Sequence, residues 1–256
     1  MNIIGQFDPS AFASRPRMHH RLDEYTQEFP SSVGSRARGL LALKACNWRK
    51  SGSTTPPWDY QVEYLSYAGM AFFNTGVIPS VDGTGIFVDV SLSAFNDDLG
   101  AIAGVCATSL FAGERSFSVY AQHRRGGYVT DFIHTYGPYE VLHPNFPMET
   151  RVKIEMNYLG SGRTKIESYL DVATLRANSV QQSPIYLCAL NVADTNNMRF
   201  YTEGKLYGAK LSEGNSVTRN YIPCVKDSLP ALYDVVNGVF VFNGFSGGVV
   251  TPGPRV

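Results

Sequence analysis

The chain has 256 residues, of which 44% are hydrophobic and 17% charged, and this composition is typical of a folded globular protein. Its 22 Lys and Arg residues balance its 22 Asp and Glu residues, so no overall charge directs the whole chain to a nucleic acid. No apolar run approaches the roughly 20 residues that a membrane span needs. The start, MNIIGQFDPS, lacks the basic region and apolar core of a signal peptide, which predicts synthesis in a cytoplasm without export by the usual route.

Residues 1–57 are predicted to form a basic N-terminal arm and linker. Residues 1–55 hold eight Lys and Arg residues and four acidic residues, a net charge of +4, which leaves −4 for residues 56–256. The stretch RGLLALKACNW (38–48) could form a short helix or a strand that packs on a partner. SGSTTPP (51–57) has linker composition, because its two prolines disfavour helix and regular strand pairing.

From Trp58 onward the hydrophobic period is close to two, which predicts strands. In GIFVDVSLSAF, every second residue from Ile86 to Leu92 is apolar and falls on one face. SFSVYAQH and YVTDFIH flank the RRGG turn (124–127), and RVKIEMNYL is followed by TKIESYL, so each pair predicts a hairpin. Asn237-Gly238 suits a two-residue type I′ turn before a last strand, VFVF. Strands bounded by turns every 8 to 15 residues predict an all-β antiparallel sandwich or barrel over residues 58–256, and alternating apolar faces suit two packed sheets.

The two ends of this region carry a family resemblance. VEYLSYAGMAFFNTGVIPS and GKLYGAKLSEGNSVTRNYIPCVKDSLPALYDVVNGVFVFNG resemble the opening and closing segments of laminin-G-like, concanavalin-type jelly-roll domains of phage virion and bacterial surface proteins. The resemblance covers about residues 61–254 and rests on strand pattern alone between 95 and 185. Phe73, Asn74, Ala231 and Val241 depart from the family pattern by conservative changes. The resemblance implies a jelly-roll sandwich with a mostly irregular N-terminal extension.

The sequence gives little sign of catalysis. Laminarinase-type enzymes of this fold carry two carboxylates on one strand face in an E-x-D-x-E string, and no such string occurs here. The four cysteines (46, 106, 188 and 224) are too far apart in sequence for a CxxC metal pair and are predicted to be free, buried thiols. His123 and His134 could face each other across the RRGG hairpin. The protein is therefore predicted not to be an enzyme and to need no cofactor.

Binding residues are sought in the loops, as in sandwich lectins. The stretch HTYGPYEVLHPNFPM (134–148) is aromatic, proline-rich and predicted to lie outside the hairpins. Its aromatic residues, with Tyr128, are candidates for stacking on a sugar, and an NDD turn is a candidate for a Ca²⁺ or sugar loop. The predicted ligand-binding residues are Tyr128, His134, Tyr136, Tyr139, Asn96, Asp97 and Asp98.

The resemblance, together with the missing export signal, implies a non-enzymatic structural or adhesion protein on the surface of a bacteriophage particle, made in the host cytoplasm. The arm would attach it to other virion proteins, and the sandwich would bind cell-surface or mucin glycans. A homo-oligomer is compatible with this role, and neither a membrane nor a specific nucleic acid is expected as a partner. Two alternatives are a bacterial surface lectin-like adhesin and a polysaccharide-cleaving glycoside hydrolase. The predicted anchoring residues of the arm are Arg15, Arg17, Arg21, Arg36, Arg38 and Trp48.

Overall fold

The computed structural model describes residues 56–256, except 82, 96–98, 108–114, 124–129, 138, 175–179 and 194–196; at residues 123, 139, 140, 197 and 198 it describes the backbone alone. In chain order the described strands are β1 (Tyr60–Gln61), β2 (Leu65–Gly69), β3 (Phe73–Asn74), β4 (Thr84–Phe95), β5 (Leu99–Cys106), β6 (Ser116–His123), β7 (Thr130–Gly137), β8 (Tyr139–His143), β9 (Val152–Met156), β10 (Arg163–Ile166), β11 (Leu170–Ala173), β12 (Tyr186–Leu187), β13 (Leu190–Val192), β14 (Asn197–Arg199), β15 (Thr202–Glu213), β16 (Ser216–Lys226), β17 (Leu229–Asp234), β18 (Val239–Phe242) and β19 (Gly248–Pro252). Among the described residues Tyr158–Gly160 forms a 3-10 turn, and no helix there is long and apolar enough to cross a membrane.

The strands form two sheets. The first follows the order β11-β10-β9-β4-β15-β16-β17-β18, with β1, β2 and β19 attached to its side. The second follows the order β14-β13-β5-β6-β7-β8, with β12 and β3 attached. All described pairs are antiparallel except β13 and β5, which run parallel. The predicted all-β antiparallel sandwich is therefore confirmed.

The core lies between the two sheets and explains the period of two. Val88 and Val90 of β4 are 0% and 1% exposed, and with Ile154 of β9 and Leu206 of β15 they form the first sheet's contribution. Val119 of β6 and its inward-facing neighbours on β5 and β7 form the second sheet's contribution. The alternation predicted for residues 86–92 is thus the inward face of β4, one of the two longest strands in the first sheet.

Two of the predicted hairpins are confirmed with their registers. Strands β6 and β7 pair from Ser116 opposite Gly137 to His123 opposite Thr130, with the RRGG turn outside the described residues. Strands β9 and β10 pair with Ile154 opposite Ile166.

The closing hairpin is confirmed, but its predicted turn type is wrong. Strands β17 and β18 pair up to Asp234 opposite Val239, so four residues form the connection instead of two. Of these four, Gly238 alone has a positive φ, 73°, whereas a type I′ turn needs two such residues. The side chain of Asp234 accepts a hydrogen bond from the backbone N–H of Val236 at 3.0 Å, and the Gly238 N–H donates to the Asp234 carbonyl at 2.8 Å. The carboxylate thus closes a longer turn than the Asn-Gly pair predicted.

The stretch from residue 134 to residue 148 was expected to be a loop, and this expectation is wrong over most of its length. Strand β7 runs to Gly137 and β8 begins at Tyr139, so the residues expected in a binding loop are the second half of a hairpin at the end of the second sheet. Only the segment after β8 is irregular. It folds back over the sandwich, with Phe146 5% exposed and stacked on Phe132 at a centroid distance of 6.0 Å.

Candidate functional site

Several predicted site residues lie outside the described residues: Tyr128, Asn96, Asp97, Asp98 and the arm residues Arg15, Arg17, Arg21, Arg36, Arg38 and Trp48. Tyr139 begins β8, but its side chain is not described. Their predicted roles in ligand binding and particle anchoring stay predictions.

The remaining two, His134 and Tyr136, lie inside the sandwich. Their exposures are 1% and 0%, and both point inward from β7. The Tyr136 hydroxyl donates a hydrogen bond to the Ser80 carbonyl at 3.0 Å, and its ring packs edge-on against Phe117. Neither ring offers a face to solvent, so the exposed stacking position expected for them does not occur in this conformation.

His134 meets a different histidine from the one expected. The β6–β7 register places His134 opposite Val119 and His123 opposite Thr130, so the two histidines expected to face each other do not. Strand β8 instead brings His143 beside His134, with ring centroids 5.3 Å apart and planes 9° apart. Both ring nitrogens of His134 and Nε2 of His143 are buried and have no hydrogen-bond partner among the described residues.

The environment of this pair keeps it uncharged at neutral pH. Burial, and then the neighbouring His143, lower the pKa of His134 from 6.5 to about 4. Burial also lowers the pKa of His143. Among the described residues, no three His, Cys, Asp or Glu side chains lie close enough together to hold a metal ion. The pair is therefore a neutral stack at the end of the second sheet.

Cys224 lacks the features of a catalytic nucleophile. Its side chain is fully buried and its thiol donates to the Ala231 carbonyl at 3.4 Å. Burial, with a smaller contribution from Asp59, raises the pKa of the thiol to about 12, so almost none is present as the nucleophilic thiolate near neutral pH. Its neighbours are aromatic: Tyr233 packs against Trp58 with ring centroids 4.9 Å apart. The stretch around Cys224 is architectural.

A group of polar and aromatic side chains lies on the outer face of the first sheet, where alternation turns Asp89 and Lys205 away from the core. A β-bulge in β15 leaves Tyr207 without a partner on β4, since Leu206 pairs with Val90 and Gly208 pairs with Asp89. A bulge re-aims side chains, and here the Tyr207 ring lies under Arg151, which belongs to the segment before β9. Tyr64, just before β2, meets Tyr207 edge-on at a centroid distance of 5.3 Å.

Arg151 connects these groups. Its guanidinium donates two hydrogen bonds to the Asp89 carboxylate, at 2.8 and 2.9 Å, and lies 3.9 Å from the centre of the Tyr207 ring. The hydrogen bonds from Arg151 to Asp89 are the main cause that raises the pKa of Arg151. Glu63 lies 3.8 Å from the same guanidinium, and Lys205 lies over the Tyr64 ring at 4.7 Å.

The pattern continues along the same face. Lys210 lies over the Phe87 ring at 5.3 Å, and Phe87 contacts the Tyr158 ring at 5.7 Å. We call this surface the aromatic–cation band; it consists of Glu63, Tyr64, Phe87, Asp89, Arg151, Tyr158, Lys205, Tyr207 and Lys210. The side chain of Arg151 is 48% exposed and that of Asp89 is 11% exposed, so the band has a buried carboxylate beneath an accessible guanidinium.

The band can form hydrogen bonds to hydroxyl or acidic groups and van der Waals contacts to an apolar sugar face. It combines aromatic rings with a few charged donors, the side-chain combination that lines small-molecule sites, on a surface built from strands and the segments beside them. The sequence identified the inward residues of β4, which placed Asp89 outward, but not the band. Its members come from five separate segments, and Tyr207 joins them only through the bulge.

Comparisons with known proteins give no family. No protein-family model matches the chain, and no curated protein matches it in sequence. Among solved structures, the chain is similar to a crystal structure from Bacteroides ovatus of a protein for which carbohydrate binding has been suggested, with 8% sequence identity and a TM-score of 0.48. The similar region covers 77% of this chain and 62% of that one, so the chain spans less than two thirds of that protein's length. Similarity at this level says nothing about ligand or activity.

Proposed function

We propose that the protein is a non-enzymatic structural and adhesion protein of a bacteriophage particle. In this proposal residues 1–57 attach it to other virion proteins, and the sandwich faces outward and binds host-surface or mucin glycans. The observation that carries glycan binding is the aromatic–cation band, an accessible strip of rings and fixed charges on the outer face of the first sheet. The assignment to a phage particle rests on the sequence resemblance at both ends of the sandwich.

The chemistry of the band favours binding over cleavage. A glycoside hydrolase needs one carboxyl group as acid and a second as nucleophile or base. In the band the Asp89 carboxylate is held by two hydrogen bonds from Arg151, and Glu63 lies near the same guanidinium. Arg151 contacts both Asp89 carboxylate oxygens, so in this conformation neither oxygen is free to face a scissile bond. This arrangement supports a positioning role for both carboxylates.

Glycan binding is tested on the full chain by screening capsular, lipopolysaccharide and mucin glycans. The wild-type protein should bind a subset of them. Tyr207→Ala and Arg151→Met should weaken that binding at least about tenfold, equivalent to about 1.4 kcal/mol. Tyr169→Ala is the matched control, because Tyr169 is 57% exposed and lies outside the band. Binding that survives both band variants, or no glycan bound by the wild type, would overturn the proposal.

The particle assignment needs its own experiment. Full-length chain and a version beginning at residue 56 are supplied to growing phage, and purified particles are probed for each. The full chain should be incorporated and the shortened chain should not, while circular dichroism should show that both are folded. Incorporation of the shortened chain would exclude the arm as anchor. Absence of both from particles, with glycan binding intact, would instead support the lectin-like adhesin.

A further inference from the structure

The ends of the two sheets differ in how they are protected against pairing with another strand. Natural edge strands usually carry a charge, a proline or a bulge that discourages such pairing. At three of the four ends of the described strand orders the terminal strand holds a charged residue: Asp171 in β11, Arg199 in β14 and Glu140 in β8. The fourth terminal strand, β18, reads Val-Phe-Val-Phe and has neither charge nor proline. Of these four ends, β18 is therefore the one that lacks a protecting charge or proline.

The surface beside β18 is also apolar. Tyr233 and Phe240 are in contact with ring centroids 4.8 Å apart, and Phe240 contacts Phe242 at 6.3 Å. Phe242 is 41% exposed, and Leu229, which starts the neighbouring strand on the same face, is 57% exposed. Exposed apolar surface that is contiguous with a free strand edge is a common feature of protein interaction sites.

We propose that β18 pairs antiparallel with β18 of a second copy of this chain, which joins the first sheets of two copies across a two-fold axis. An edge strand is complementary to itself in this arrangement, because antiparallel neighbours exchange the same backbone donors and acceptors. The absence of charge matters as well. Two copies of a charged edge would place like charges close together, whereas two copies of β18 place only apolar side chains in contact.

The side chains favour one register. Val241 packs on the core, whereas Phe240 and Phe242 point to the outer face. A two-fold axis normal to the sheet must therefore place residues of the same face opposite each other in the two copies. An axis centred on Val241 places Phe240 of each copy opposite Phe242 of the other, which gives two Phe–Phe pairs. Cross-strand aromatic pairs are among the favourable pairs in sheets, and these two would extend the row of rings that begins at Tyr233. This register therefore places the two Val241 residues directly opposite each other.

The contact should be modest in strength. The free edge ends where Asn243 bridges to Phe73 of the second sheet, so four residues are available for pairing. The expected dimer is therefore concentration-dependent, and it becomes effective when many copies are held together on one surface. The interface does not use the aromatic–cation band, so loss of dimerisation and loss of glycan binding are separate results.

The register is tested by cross-linking the full chain with Cys46→Ser, since the other three cysteines are buried. Val241→Cys should form a disulfide-linked dimer on mild oxidation, because opposite residues of an antiparallel pair have the spacing that a disulfide requires. Val249→Cys, at a residue that is 60% exposed on β19, is the control and should stay monomeric. If Val241→Cys does not fold, a mixture of Phe240→Cys and Phe242→Cys chains tests the same register.

Sedimentation of the unmodified chain provides the second measurement. The wild type should show a monomer–dimer equilibrium, and Phe242→Lys should shift it to monomer with unchanged circular dichroism. The proposal is wrong if Val241→Cys cross-links no faster than the control, if Phe242→Lys leaves the dimer fraction unchanged, or if the chain is monomeric at all concentrations. Cross-linking of Val241→Cys only to another virion protein would also overturn it and would identify that protein as the occupant of the edge.

Discussion

Replacing His134 with leucine is expected to make the sandwich less sensitive to acid. The folded protein holds His134 with a pKa of about 4, whereas the unfolded chain has the ordinary value of 6.5. Between these values the unfolded chain binds more protons than the folded one, so the free energy of unfolding falls as the pH falls through this window. From about pH 7 to about pH 5 the wild type should lose about 2 kcal/mol from this group alone. Below about pH 4 both states are protonated and the loss levels off.

The assay is urea unfolding of the wild type and His134→Leu at about pH 7 and about pH 5. The variant should lose about 2 kcal/mol less than the wild type over this interval. The variant also removes two buried nitrogens that have no partner in the part of the chain that the structure describes. Its stability at neutral pH should therefore be equal or higher, by up to about 1 kcal/mol. Tyr136→Phe, on the same strand, is the control, since it removes the hydrogen bond from Tyr136 to Ser80 and leaves His134 in place. Equal acid sensitivity of wild type and His134→Leu would refute the reasoning.

Two further predictions concern the closing stretch and the thiols. Asp234→Ala should lower the free energy of unfolding by about 3 kcal/mol, because it leaves Arg219 and two backbone N–H groups without their buried carboxylate. Asp171→Ala removes an exposed ion pair with Arg163 and should leave the urea midpoint almost unchanged. Equal effects of the two substitutions would contradict the argument. Cys188 and Cys224 should resist iodoacetamide in the folded protein at about pH 8 and react once it is unfolded, because burial raises the pKa of both thiols. Rapid labelling of the native protein, detected by mass spectrometry, would contradict this prediction by showing that the thiols are accessible.

The hairpins could be predicted because both of their strands and their turn are close together in sequence. Ile86 to Leu92 alternate on one strand, so their burial follows from the period alone. The closing turn shows the limit of such local signals. Asn237-Gly238 marked the right place, but Asp234 forms hydrogen bonds to Val236 and Asn237 and stabilises a four-residue connection instead.

The sites could not be predicted, because each depends on a strand pairing that the sequence pattern does not show. His134 and His143 meet because β8 turns back immediately after β7, where the sequence suggested a loop. Arg151, Asp89 and Tyr207 come from three strand regions, and a single bulge in β15 determines where the tyrosine points. The composition and residue spacing of a single sequence do not predict which residues of two such strands lie opposite each other.

The most direct test of the central claim is to map a bound glycan on the isotopically labelled full chain by NMR. Side-chain and backbone resonances of Tyr64, Arg151, Lys205 and Tyr207 should shift on titration with a glycan that the chain binds, while Tyr169 and the buried His134 should not. Shifts confined to residues outside the aromatic–cation band would contradict the assignment of this surface as the glycan-binding site.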